Sequence, residues 1–200
     1  MENRDKTHES VYTVTKQIIH AIEGNRTEPK GNADLARLRN SLGKPFSRAV
    51  SVFPIIFSYM PDDFLSTQRD MTQEEKAILL TLQIYALHQQ GKDESVVWRA
   101  NEKERYHNLG HSMRVLRTEK TKAADRRFNA MVTAEDFEEL AYHLRQMISL
   151  LKAKSDETVD YPMLAEDLFW FLRGAQENVR MRWAREYYRV TKKGEEDNEQ

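Results

Sequence analysis

His107 and His111 stand four residues apart, a spacing that brings two imidazoles to one face of a helix, where they could share a metal ion. Such a site needs at least a third protein ligand. The nearest carboxylates, Glu102 and Glu104, fall in a polar stretch with no helical period, so no metal is expected. His88 and His143 read as surface rings or as partly buried, hydrogen-bonded ones. Neighbouring carboxylates such as Glu138 with Glu139 and Glu166 with Asp167 sit on acidic stretches where solvation is the ordinary role. The chain has no cysteine, which excludes disulfides, a thiol nucleophile and thiolate metal sites. Its seven glycines stand apart from one another, so consecutive backbone amides cannot cradle a phosphate. There is no G-x-G-x-x-G, no G-x-x-x-x-G-K-[ST], no G-x-S-x-G and no H-E-x-x-H. No active site, cofactor or catalytic group is expected.

The chemistry that recurs is that of arginine. The formal net charge is only −1, but it is a near-cancellation. Residues 26–48 carry +4, residues 99–127 carry +5 and residues 173–193 carry +5, separated by acidic stretches of −4 (49–98) and −6 (128–172). On helical projection, Arg37 and Arg39 flank the Leu35/Leu38/Leu42 stripe, one on either side. His111, Arg114 and Arg117 share a face opposite Leu109, Met113 and Leu116, and Arg126 and Arg127 open a helix anchored by Phe128 and Met131. Arg182, Arg185 and Arg189 share a face beside the stripe of Val179, Trp183, Tyr187 and Val190, while Arg180 borders that stripe and is placed to pair with a carboxylate at a helix contact. Each basic stretch therefore has an apolar side to bury and a cationic side to present. A guanidinium fork binds two phosphate oxygens at once, so three such faces point to a polyanion, held along its backbone without base reading.

The elements that must position these arginines are helices. Seven glycines and five prolines among 200 residues are too few for the turns of a sheet protein of this size. Apolar residues spaced three and four apart predict a first helix over 8–23 ended by Gly24, and a loop over 24–32. A second helix is predicted from Asn32 or Asp34, then short helical pieces broken by Pro45 and Pro54. Thr72 to Glu75 reads as a capping box opening the apolar helix that closes at Gly91. Residues 91–107 read as a long exposed loop. Helices resume near Asn108 and Ala123, and Thr133 to Asp136 resembles a second capping box, with Val132 and Phe137 as a hydrophobic staple. Two further helices follow, one with Pro162 near its start and stopping at Gly174, the other over 175–190. The expected fold is all-α: two packed helical bundles of about eight or nine helices, with no sheet. The N-terminal bundle takes residues 1–118, the C-terminal bundle 119–193, and 194–200 form an acidic tail. The first ten residues lack the apolar core of a secretory signal, and the longest apolar stretch, residues 49–60, contains Pro54 and is too short to span a bilayer. A cytoplasmic protein is expected.

Several motifs, in this order, resemble the CasB family: His107-Asn-Leu-Gly-His-Ser-Met-Arg-Val-Leu116, Asp125 to Phe128, Leu140 with Leu144-Arg145, Val159 to Leu164 with Asp167-Leu168, and Val179 with Trp183 to Tyr188. Leu35 to Arg39 and Tyr85 to His88 fit as well. The resemblance covers about residues 30–190 and is strongest over 107–189. CasB is the small subunit of Cascade, the type I-E CRISPR surveillance complex. The resemblance implies an all-α, non-catalytic subunit that assembles as two copies in tandem with the backbone and large subunits. It further implies that the protein supports the hybrid of guide RNA and target DNA and holds the displaced strand. By motif position, Arg37, Arg39, Arg114, Arg126 and Arg127 are first choices for nucleic-acid contact, followed by Arg117, His111, Arg182 and Arg185. The N-terminal extension, the 91–107 segment and the acidic tail depart from the family pattern. Read without the resemblance, the same faces also suit a helical adaptor that docks acidic partner proteins, and a metal hydrolase on His107 and His111 is a remote third reading.

Overall fold

In the computed structural model, residues 10–44, 49–67, 70–101, 106–117 and 122–190 are described. The start of the N-terminal extension, residues 102–105 and the acidic tail lie outside them. The described residues form nine α-helices: α1 (Val11–Gly24), α2 (Pro29–Ser41), α3 (Phe53–Phe57), α4 (Gln73–Gln89), α5 (Leu109–Arg114), α6 (Ala123–Val132), α7 (Phe137–Lys154), α8 (Tyr161–Leu172) and α9 (Gln176–Tyr188). Single 3-10 turns at Val50–Val52 and Asp62–Phe64 flank α3. The all-α expectation holds. The only strand-like feature among the described residues is one isolated parallel bridge, Val97 with Val159. No described helix is long and apolar enough to cross a membrane.

Helix α4 is the axis. Its sequence is apolar almost all round, the pattern of a helix buried on every side, and every residue from Ala77 to Ala86 is buried. The capping box at its start forms as predicted: the Glu75 amide donates to Thr72 Oγ1 (3.0 Å) and the Thr72 amide donates to Glu75 Oε2 (2.7 Å). Helices α1, α2, α7 and α8 pack around α4, and α5 and α6 pack on α9. Buried apolar residues from before and after residue 118 form one continuous core.

Three local expectations shift. Helix α2 begins at Pro29 rather than at Asn32 or Asp34, because proline at the first helical position has no amide hydrogen to waste. Gly31 permits that early start, since a Cβ there would stand 2.1 Å from the Asn25 carbonyl oxygen. The cap of α7 is Asp136, not Thr133: Asp136 Oδ1 accepts from the Glu139 amide at 2.8 Å, and the Thr133 hydroxyl is spent on the Asn129 carbonyl (2.8 Å) at the end of α6. The stretch read as an exposed loop is partly packed, with Val96 and His107 buried. The Trp98 amide donates to the Val159 carbonyl (2.9 Å) and the Val159 amide to the Val96 carbonyl (3.0 Å), so the segment is tied to the entry of α8.

Candidate nucleic-acid interface

Helix α5 carries two of the predicted side chains, His111 and Arg114, with Arg117 just past its end, and is seated on α9 by two features. Asn108 caps it, accepting from the His111 amide (3.1 Å) and donating through Nδ2 to the Arg182 carbonyl (3.1 Å). Gly110 lets the backbones meet: a Cβ there would lie 1.9 Å from the Trp183 carbonyl oxygen. The close seat sets α5 against α9, and Arg117, just past α5, reaches the Tyr187 carbonyl of α9 and Asp125 of α6.

His107 and His111 are stacked, ring centroids 4.1 Å apart, with their edge nitrogens engaged elsewhere. The Ser112 hydroxyl donates to the Thr158 carbonyl (2.9 Å), so His107 Nε2 is the donor in its 2.8 Å bond to Ser112 Oγ. Arg114 donates to His111 Nε2 (2.9 Å). Two rings face to face do not converge their lone pairs on one ion, and no group of three His, Asp or Glu side chains able to hold a metal occurs among the described residues. His111 instead orients Arg114.

Arg117 is held by three neighbours. Its Nε lies 3.3 Å from Asp125 Oδ1, and its guanidinium sits 4.9 Å from the Tyr188 ring centroid and 5.5 Å from that of Tyr187. The Tyr187 hydroxyl also donates to Asp125 (2.9 Å), and burial together with that carboxylate raises its pKa. Arg126 and Arg127 on α6 and Arg185 on α9 are exposed and form no ion pair or hydrogen bond among the described residues. Two of the three basic stretches thus meet on α5, α6 and α9.

Arg182 is placed differently. Its NH2 lies 2.5 Å from Oδ1 of Asp167, whose other oxygen accepts from Trp183 Nε1 at 2.6 Å. Asp167 is fully enclosed, and burial raises its pKa to about 6 against the opposing pull of Arg182 and Trp183. Arg180 is likewise engaged, with Glu177 (2.6 Å) and the Ala134 carbonyl, a carboxylate of its own helix and the backbone rather than one across a contact.

The remaining basic stretch sits on α2, which packs on α1 and α4. Arg37 pairs with Asp34 at 3.0 Å and stays half exposed. Arg39 lies close enough to Lys152 of α7 that its charge, after burial and alongside that of Lys92, lowers the lysine's pKa. The Arg145 guanidinium reaches the end of α2, 3.8 Å from where a Cβ on Gly43 would sit. Lys152 beside Arg39, Lys92 beside Lys152 and Arg145 beside Gly43 were missed because charge counting along the chain assigns them to acidic stretches, and nothing local links them to α2.

Residues 34–188 match the family model described as CRISPR-associated protein Cse2. A Thermus thermophilus protein named CRISPR-associated protein Cse2 is 28% identical over 157 residues, covering 76% of this chain and 77% of that one. The chain belongs to the Cse2 family. The crystal structure of CasB from Thermobifida fusca shares the Cse2 fold with a TM-score of 0.71 and 26% identity, over 90% of this chain and 98% of that one. A chain from a structure described as a CRISPR RNA-guided surveillance complex has a TM-score of 0.65 at 18% identity, over 90% and 94% of the two chains, and shows the same fold. The CasB resemblance read from residues 107–189 is therefore confirmed, and this Cse2-family chain keeps its arginine-bearing helices within the matched region.

Proposed function

We propose that this chain is the small, non-catalytic subunit of a type I-E Cascade complex, holding the phosphate backbones of guide RNA, target DNA or the displaced strand without base readout. The observation that carries the reading is the set of exposed arginines Arg126, Arg127 and Arg185, which have no ion pair or hydrogen bond among the described residues and lie on the two helices that pack together next to Arg117. A guanidinium without an internal carboxylate keeps its full donor fork for a phosphate. Base pairing by the guide supplies sequence specificity, so a subunit of this kind need only follow backbones. Assembly as two tandem copies beside the backbone and large subunits follows from the family resemblance.

The test is oligonucleotide binding by the full chain as a function of salt. Affinity for single strands is expected to fall with salt at about 0.7 log unit per log unit for each phosphate neutralised. Arg126→Ala with Arg127→Ala removes two contacts, so the slope should flatten by about 1.4 and affinity should drop equally for unrelated sequences. A salt-independent affinity, or an unchanged slope in the double variant, overturns the assignment. Binding to an acidic protein partner with none to oligonucleotides at low salt points instead to an adaptor.

A further inference from the structure

A groove of about 690 Å³ lies between α1 and the packed segment leading away from α4, with Lys16, His20, Trp98, Arg99 and Asp160 among its walls. Its volume is that of a nucleotide-sized site. None of the arginines discussed above belongs to it.

The groove has an aromatic platform that is already rigid. The indole of Trp98 stacks on His107 with centroids 4.9 Å apart and planes 19° apart, and His107 stacks in turn on His111. The Trp98 amide is pinned to Val159. His107 covers one face of the indole and takes no part in lining the groove, whereas Trp98 does.

The charges around the groove are unequally committed. Lys16, His20 and Arg99 form no ion pair or side-chain hydrogen bond among the described residues, and all three are exposed. The acids on the same walls are occupied. Glu23 accepts from the Tyr85 hydroxyl at 2.5 Å and pairs with Arg26 at 3.6 Å. Asp160 caps α8, accepting from the Met163 amide at 3.0 Å, and burial raises its pKa to about 6 against the opposing pull of that amide and of the Lys16 charge. Arg99 thus carries a positive charge with no ion pair among the described residues, beside an aromatic face, and Lys16 adds a second cation whose attraction is shared with Asp160.

We propose that this groove is a stacking subsite for one base of a single-stranded nucleic acid, the base lying on Trp98 and its flanking phosphates on Arg99 and Lys16. The inference rests on the reading of the chain as a nucleic-acid-binding subunit and adds a mode of contact that reading does not contain. Stacking tolerates any base, so it does not amount to sequence reading. Behind the platform, the His107–His111 stack leads to Arg114, whose guanidinium donates to His111 Nε2.

The experiment follows indole fluorescence in the full chain carrying Trp170→Phe, which leaves Trp98 and the buried Trp183. It is titrated with an oligothymidylate and with an abasic strand of the same length and charge. Quenching by the oligothymidylate and none by the abasic strand is the expected result. Trp98→Ala should weaken the oligothymidylate by roughly five- to a hundred-fold, the equivalent of one stacked base, and leave the abasic strand unaffected. Tight oligothymidylate binding without quenching overturns the subsite while leaving the backbone reading intact. So does equal affinity for the two strands. Failure of both strands to bind at low salt overturns the backbone reading and the subsite together. The quenching arm needs no change at Trp98, so it stands even where Trp98→Ala perturbs folding.

Discussion

Arg182 and Arg185 lie three residues apart on α9, yet the structure gives them opposite tasks, and their alanine variants should separate cleanly. Asp167 is 1% exposed at its side chain and depends on Arg182 NH2 at 2.5 Å and Trp183 Nε1 at 2.6 Å. Removing the cation from a fully buried pair costs about 3–5 kcal/mol. The Arg182 side chain is 38% exposed, so solvent screens the pair and the expected loss is discounted to about 2 kcal/mol. In a chain of 200 residues that lowers the melting temperature by about 4–8 °C. Arg185 has no ion pair or hydrogen bond among the described residues, and Arg185→Ala should change stability by less than about 0.5 kcal/mol. The pH dependence sharpens the test. Asp167 has a folded pKa raised from 3.8 to about 6, held from rising further by Arg182. Without Arg182 the folded pKa climbs, so the folded state binds the proton still more tightly than the unfolded chain. The penalty is then full above the variant's folded pKa and disappears as the pH falls below about 6, where both proteins carry a protonated Asp167. Denaturant midpoints of the three proteins at pH 8 and pH 5 measure it. The reasoning is refuted if Arg182→Ala is as stable as Arg185→Ala at pH 8, or if its penalty grows toward pH 5.

Gly110→Ala should disrupt the seat of α5 on α9, because its Cβ would stand 1.9 Å from a backbone carbonyl oxygen that cannot move independently. A loss of about 3 kcal/mol or more is expected by denaturant titration, against almost none for Gly24→Ala, where nothing lies within 4 Å. His88 is buried against the Tyr161 hydroxyl at 2.7 Å, and burial, with Lys92 and Lys152, lowers its pKa to about 4. Its folded pKa lies below the unfolded 6.5, so its contribution is full above pH 6.5 and lost as the pH falls toward 4; the stability advantage of the protein over His88→Gln should shrink across that window. Thr72→Ala breaks the capping box of α4 and the 2.7 Å bond to the Phe64 carbonyl, and should cost about 1–2 kcal/mol in a thermal melt.

What could be read from the chain is what neighbours within one or two helical turns decide. The Thr72 capping box, the stripes of α1 and α7, and the all-round apolar character of α4 are local patterns, and each folded as its pattern required. The shifts came where two local signals competed, as at Thr133 and Asp136, both good helix caps three residues apart. The outward placement of Arg126, Arg127 and Arg185 follows from the buried positions of Phe128, Met131 and Trp183 on the same helices, and needed no knowledge of the rest of the fold.

The sequence by itself therefore determined a helical, arginine-faced chain and, through the order of its motifs, its family. Only the tertiary structure decided which arginines are available. Arg182 is engaged because Asp167, fifteen residues earlier on another helix, is brought against it. Arg39 sits beside Lys152 because α2 and α7 both pack on α4. Trp98 became a platform because Val96 and Val97 pair with Val159 and hold the indole on His107. Helical period and capping leave a mark on every few residues, whereas contacts that close long stretches of chain depend on how finished helices pack and leave no local trace.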